Sequence, residues 1–473
     1  MNVTRNIIVS TALVAVMVTP GGAWAQEGQL PANSPFRGGV PDGLATPDTL
    51  PLSVAEVIKR ALEHNLGVLT SEDAVEHARG SRRLALADLL PNVGASLRES
   101  RQTVNLEAFG FPLQGTGFPA LVGPFNVFDA RVFLSQTVFD ASAMRDARAE
   151  THGVAAARHS YQSARDLVVL VAANLYLQTV SADARAQSAR AQRDTAQALF
   201  DQAGSLRQAG VVAGIDVIRA EVRLATERQN VTSAENQYQK SKLQLARVIG
   251  LPIGQAFNLS ETVPFVPAPT MALPDVIERA YRERPDYLAA LDRVREAEAR
   301  RKAASGEALP AVRVNADYGA IGLTPGNARS TFTVAGTVVV PIFDGGRRQG
   351  RVLETDADLR SRRAEAENLR SEIDYDVRIS FLDLQATGEQ LQVATRAREL
   401  AAQQLTQSRD RFAAGVTNNV EVVQAQEAVA LASEQYIGAL YAFNVAKAVL
   451  ARSMGTAEQT VQQFLSGQGG VQR

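Results

Sequence analysis

Apolar positions along this 473-residue chain recur with two different periods, and the changes of period divide it into elements. Steps of three and four from Tyr161 meet Ala164, Val168, Val171, Leu175, Gln178, Ala182, Arg185, Ala189, Gln192, Ala196, Leu199, Ala203 and Leu206. This 3.5-residue seam, with no Pro from Asp140 to Ala209, predicts one coiled-coil helix of about 70 residues, ~105 Å long. Its many alanines let neighbouring helices approach closely. A Gly-Val step follows, and the seam resumes through Val217, Ala220, Leu224, Glu227, Val231, Ala234, Tyr238, Ser241, Leu245 and Val248. Adding 205 gives Val422, Ala425, Val429, Ala432, Tyr436, Ala439, Phe443, Ala446, Leu450 and Ser453, a second return helix in the same heptad phase.

Elsewhere the period falls to two. In "AVRVNADYG", residues 311 to 319, Val312, Val314, Ala316 and Tyr318 alternate with Arg313, Asn315 and Asp317. In "TFTVAGTVVVP", residues 331 to 341, Phe332, Val334, Val338 and Val340 share a face, and turn residues lie between the two stretches, so a β-hairpin is predicted. The first half matches it through Val93, Ala95 and Leu97, which run into Glu99 and Arg101, and through Phe128, Ala130, Val132, Leu134 and Val138. "LSVAEVIKRALEHN" and "LPDVIERAYRERP" open equivalent helices that Pro91 and Pro310 stop. Residues 54 to 89 and 216 to 249 are expected to lie end to end along the first long helix. Asp140 and Asp344 stand where N-cap acceptors are wanted.

Two internal repeats result, each reading helix, hairpin, long helix, sharp turn, return helix. The first spans 52–258, with its hairpin at 91–139 and its turn at 210–215; the second spans 273–456, with its hairpin at 310–343 and its turn at 415–420. Residues 26–51 read as an extended leader, 259–272 as a linker and 457–473 as a tail.

Residues 1–25 carry Arg5, an apolar run from Ile7 to Val18 and Ala23-Trp24-Ala25, the pattern of a secretory signal peptide cleaved before Gln26. That run is too short to span a bilayer, and no later transmembrane helix is expected. With no Cys there is neither a disulfide framework nor a thiolate metal site, so packing must supply stability. A net charge of −1 gives no electrostatic case for nucleic acid. His152 and His159 could share a helix face, but nothing completes a metal site there, and both read as solvated helix residues. No catalytic triad or phosphate loop has its required context, so neither an enzyme nor a cofactor is expected. Four strands cannot close a barrel, and lipid does not tolerate open sheet edges, so strands in a membrane would require several chains to share one barrel.

The duplicated halves, the "PIFDGGRR" leaving a strand to enter a long helix, and the turns "AGVVAGIDV" and "AGVTNNVEV" resemble the outer-membrane efflux proteins of the TolC family. The resemblance implies a homotrimer, mainly α, in which long antiparallel coiled-coil helices build an α-barrel across the periplasm and four strands per chain contribute to a shared 12-stranded barrel in outer-membrane lipid of a Gram-negative bacterium. It also implies an exit duct for a tripartite system, whose Gly-Val tips, Gly210-Val211 and Gly415-Val416, face a periplasmic adaptor (a membrane fusion protein) and an inner-membrane pump. Glu421, with Asp216, is the implied acid of a cation-selective periplasmic gate; the second gate acid of some members is Gln424 here, and Phe412 and Thr417 replace a Tyr and an Arg. The rival reading is a periplasmic coiled-coil adaptor or scaffold without a pore, which has no need of two alternating hairpins.

Overall fold

A computed structural model describes residues 34–109, 119–210, 212–260, 267, 271–414, 416 and 419–466. The expected signal peptide, the start of the leader before Ser34, the loop 110–118, most of the linker and the end of the tail lie outside the described residues. The elements run β1 (Leu50–Leu52), α1 (Val54–His64), α2 (Leu66–Ala87), β2 (Asn92–Asn105), β3 (Leu121–Phe139), α3 (Ala141–Gln208) and α4 (Gly214–Val248). They continue with β4 (Phe257–Leu259), α5 (Leu273–Glu283), α6 (Pro285–Gly306), β5 (Ala311–Gly322), β6 (Arg329–Val339), α7 (Arg347–Ala413), α8 (Asn419–Ser453) and α9 (Ala457–Ser466). At 68 residues α3 is about 102 Å long.

Both helices that precede a hairpin are broken rather than continuous. Asn65 takes an extended conformation, φ −69° and ψ 129°, and its side chain caps the new helix by accepting from Gly67 N at 2.9 Å. Its amide also donates to the Phe36 carbonyl at 3.0 Å, a second anchor that the sequence pattern of 54–89 does not display. Arg284 makes the equivalent break, φ −64° and ψ 115°, directly before Pro285, which biases its predecessor out of the helical region. Against these breaks sit the left-handed glycines that end the return helices. A Cβ on Gly250 (φ 63°) would lie 2.6 Å from the Val40 carbonyl oxygen, and one on Gly455 (φ 75°) would lie 2.6 Å from Arg284 Cα, so only Gly fits.

Two clusters fill the middle of the molecule. One joins Val57 and Ala61 of α1, Val168, Ala172 and Tyr176 of α3, Leu245 of α4, Ala451 of α8 and Val461 of α9; the other joins Val276, Ile373, Val377, Phe443 and Leu450. One window of α3 is long and apolar enough, by composition alone, to cross a membrane, and half of it is buried inside the protein. The leader is tied down by Phe36 packing on Gly67 and by β1 pairing in parallel with β4, and the tail begins as the packed helix α9. His159 is bonded through Nδ1 to the buried carboxylate of Asp292, 3.0 Å away, rather than simply solvated.

Charged groups clamp both ends of α9 in the sense its dipole favours. Asp166 accepts from Glu458 N at 3.0 Å at one end, and the fully buried Lys447 donates to the Phe464 carbonyl at 2.9 Å at the other. Burial pushes the Lys447 amine down from 10.5 to about 8. Between those two values the unfolded chain holds a proton that the folded chain has lost, so this group makes stability rise with pH across that window. We expect denaturation midpoints to climb between pH 8 and 10.5 and Lys447→Met to flatten the climb; equal slopes in both proteins would remove Lys447 from the account.

Candidate functional site

β2, β3, β5 and β6 form one antiparallel sheet in that order, with β2 and β6 as its edges. Register aligns Val93 with Leu134, Ala95 with Val132, Val132 with Tyr318 and Tyr318 with Phe332, so one face is apolar. Of these, Val93 is 66 % exposed and Phe332 75 %, and Leu97, Val334 and Val338 are similarly bare. Each such side chain forfeits roughly 1.5–3 kcal/mol of transfer free energy in water, a penalty that lipid removes. Glu99 pairs with Phe128 and Arg101 with Asn126, so both charges lie on the same face, toward its end nearest the loop 110–118. On the opposite face Arg131 is ion-paired to Asp317 and Asp129 and donates to Thr331 at 3.3 Å.

Asp140 caps α3, accepting from Ser142 N and Ala143 N at 3.0 and 3.1 Å. Asp344 is not at the N-cap position of α7, which Gly346 occupies at φ 88°. It reaches forward instead to accept from Gly346 N and Arg348 N, and those two amides hold its carboxyl below the usual range.

At the far end of the long helices lie the turns. Gly210 is left-handed at φ 73°, with its N–H donating to the Arg207 carbonyl at 3.0 Å. Val211, Gly415 and Thr417 lie outside the described residues. Val416 is 69 % exposed and donates its N–H to the Arg411 carbonyl, a bond that closes the end of α7. Phe412 is half-buried.

The two predicted acids are held differently. Asp216 pairs within its own helix, to Arg219 at 3.3 Å. Glu421, in the first turn of α8, is held across the turn by Arg411 at 3.1 Å and faces Ser408 Oγ at 3.5 Å. Gln424 is exposed. The sequence reading missed Arg411, although a basic residue in the last turn of one helix and an acid in the first turn of its antiparallel partner are a usable signal. It also missed Arg223, which bridges the halves by pairing with buried Glu227 of its own helix at 2.8 Å and with Glu427 of α8 at 3.3 Å. Among the described residues no cluster of His, Cys, Asp or Glu could hold a metal.

The family model of the outer membrane efflux protein matches residues 57–251 and 276–456, which is most of the chain. The protein belongs to that family. A pyoverdine export outer membrane protein, OpmQ of Pseudomonas putida, is 24 % identical over 393 residues, 80 % of each chain. Among solved structures, the Campylobacter jejuni CmeC outer membrane channel superposes with a TM-score of 0.72 at 16 % identity, covering 87 % of this chain and 89 % of that one. The open state of the Neisseria gonorrhoeae MtrE outer membrane channel gives 0.71 at 18 %, covering 85 % and 89 %. This efflux-family member is therefore an outer-membrane protein with the fold of a channel, and its fold and family are not those of enzymes.

Proposed function

We propose that three copies of this protein close one 12-stranded barrel and one tube of long helices, forming the exit duct of a tripartite efflux system. The observation that carries this reading is a four-stranded sheet with two free edges and a bare apolar face. Unpaired edge amides and carbonyls each cost several kcal/mol in lipid, so edge must meet edge between copies. Two copies would give eight strands, whose interior is filled by side chains; three give twelve and leave a lumen, lined by the face that carries Arg131, Asp129 and Asp317. A pore-free scaffold would have no use for that face.

At the tips, the acids sit on the helices that turn back toward the membrane, and Glu421 is the ring residue, repeated once per copy. Arg411 neutralises it partly, which holds the start of α8 against the end of α7. Purified protein in planar bilayers should conduct, and Glu421→Gln should weaken cation selectivity; unchanged reversal potentials would remove Glu421 from the gate. Absence of any conductance would remove the duct itself.

The exposed Val416, with Val211, offers an apolar knob to the periplasmic adaptor of such a system, and an inner-membrane pump supplies the energy. Replacing both valines with Asp should abolish export while leaving the oligomer intact on gels. Normal export by the double variant would show that the adaptor docks elsewhere.

A further inference from the structure

The polar face of the four-stranded sheet carries an uneven set of charges. Register places Arg98 of β2 opposite Asp129 of β3, Asp129 opposite Ile321 of β5 and Ile321 opposite Arg329 of β6, one row across all four strands. Arg131 and Asp317 share that face, as does Arg313 at the end nearer the helices. Four arginines therefore stand against two aspartates. Both aspartates turn to Arg131, whose side chain is only 15 % exposed, and Arg313 has the Asp140 carboxylate 4.0 Å away. Arg98 and Arg329 are different: both are exposed, and neither is ion-paired among the described residues. They stand on the two edge strands, one step beyond Arg131 on the side away from the helices.

We propose that, in the three-copy barrel put forward above, Arg98 and Arg329 form two rings of three guanidinium groups in the lumen and draw small multivalent anions, carboxylates or phosphates, through the exit. The inference rests on that barrel, because only closure of the sheet turns its polar face into a lumen. Rings of Arg favour anions as rings of acids favour cations, and lumen-facing side chains tune selectivity without touching lipid. A guanidinium keeps its charge at any physiological pH and meets a carboxylate or phosphate with two parallel N–H donors. At physiological salt the Debye length is about 8 Å, so the rings act on solutes that pass along the wall rather than on distant ones. The two ends of the duct then carry opposite signs, arginines at the barrel and Glu421 at the tips.

Planar-bilayer recordings of the detergent-purified full chain test this, with citrate as the carboxylate probe and inorganic tripolyphosphate as the phosphate probe. The long helices cannot cross the bilayer, so the tips stay on the side to which protein is added. In KCl at about 0.15 M, a probe added on the barrel side should reduce the current, and the same probe on the tip side should do so less. Arg98→Gln combined with Arg329→Gln should raise the half-blocking concentration about tenfold or more. Arg98→Lys with Arg329→Lys, which keeps the charge, should stay within about threefold of the native protein. Raising the salt to about 1 M, where the Debye length is about 3 Å, should erase the difference. Arg101→Gln, on the apolar face, should leave the block unchanged, and the stronger probe names the head group preferred. Where the Gln pair fails to conduct, Arg329→Gln alone, at the first position of its strand, takes its place. A native protein that conducts yet is indifferent to both probes, or is blocked equally after the Gln substitutions, would overturn the inference and leave the duct standing. A native protein that does not conduct removes both.

Discussion

A β-sheet in hydrocarbon must pair every backbone amide, and the proposed assembly of this molecule rests on that constraint. The four strands satisfy one another internally through an unbroken antiparallel order, yet β2 and β6 each keep one unpaired side. With Val93, Leu97, Phe332 and Val334 bare on one face and the Arg131 cluster on the other, the sheet is stable neither alone in water nor alone in lipid. The helices inherit the consequence. Asp140 and the turn at Asp344 lead from the strands into α3 and α7, so in the proposed ring of strands the helices would follow the same axis.

The middle of the molecule solves a different problem, that of holding long helices in register. Left alone, two coiled-coil pairs that share one heptad repeat can slide along each other by one repeat, and the many alanines of the seams do little to oppose it. The breaks at Asn65 and Arg284, locked against Gly250 and Gly455, pin each half at one level. Around Arg284 the locking is electrostatic: burial alone would push the Asp286 carboxyl up, but the guanidinium 2.7 Å away holds it below the usual range. Helix α9, clamped at both ends, then straps α3 to α8 at the same height.

Periodicity carried most of this architecture in the sequence. The seams of α3, α4 and α8 contain the buried Val168, Ala182, Ala196, Leu224, Val231, Val422 and Leu450, because a 3.5-residue repeat has no other economical use. The apolar faces of β5 and β6 were equally legible. What remained hidden depends on contacts distant in sequence. Asn65 breaks its helix because Phe36 and Gly67 reward it, β1 exists because β4 lies beside it, and α9 is a helix because Lys447 and Asp166 meet its ends. At the tips, Asp216 and Glu421 occupy matching places in the repeat, but position alone does not reveal that one acid turns to its own helix and the other across the turn. The row that joins Arg98 to Arg329 is likewise invisible to any linear pattern, since it follows from the register of four strands.

The central claim is that β6 of one copy pairs with β2 of the next. Because the chain has no Cys, that pairing can be read by introduced cysteines without background. Thr333→Cys in β6 is combined in turn with Ser96→Cys or Ser100→Cys and neighbouring positions of β2, and the strands are oxidised in isolated outer membranes. Paired antiparallel strands bring Cα atoms to about 4.5–5.5 Å, within disulfide reach. The account predicts that some positions along β2 yield a reductant-sensitive covalent ring of three chains; monomers alone, at every position scanned, would contradict it.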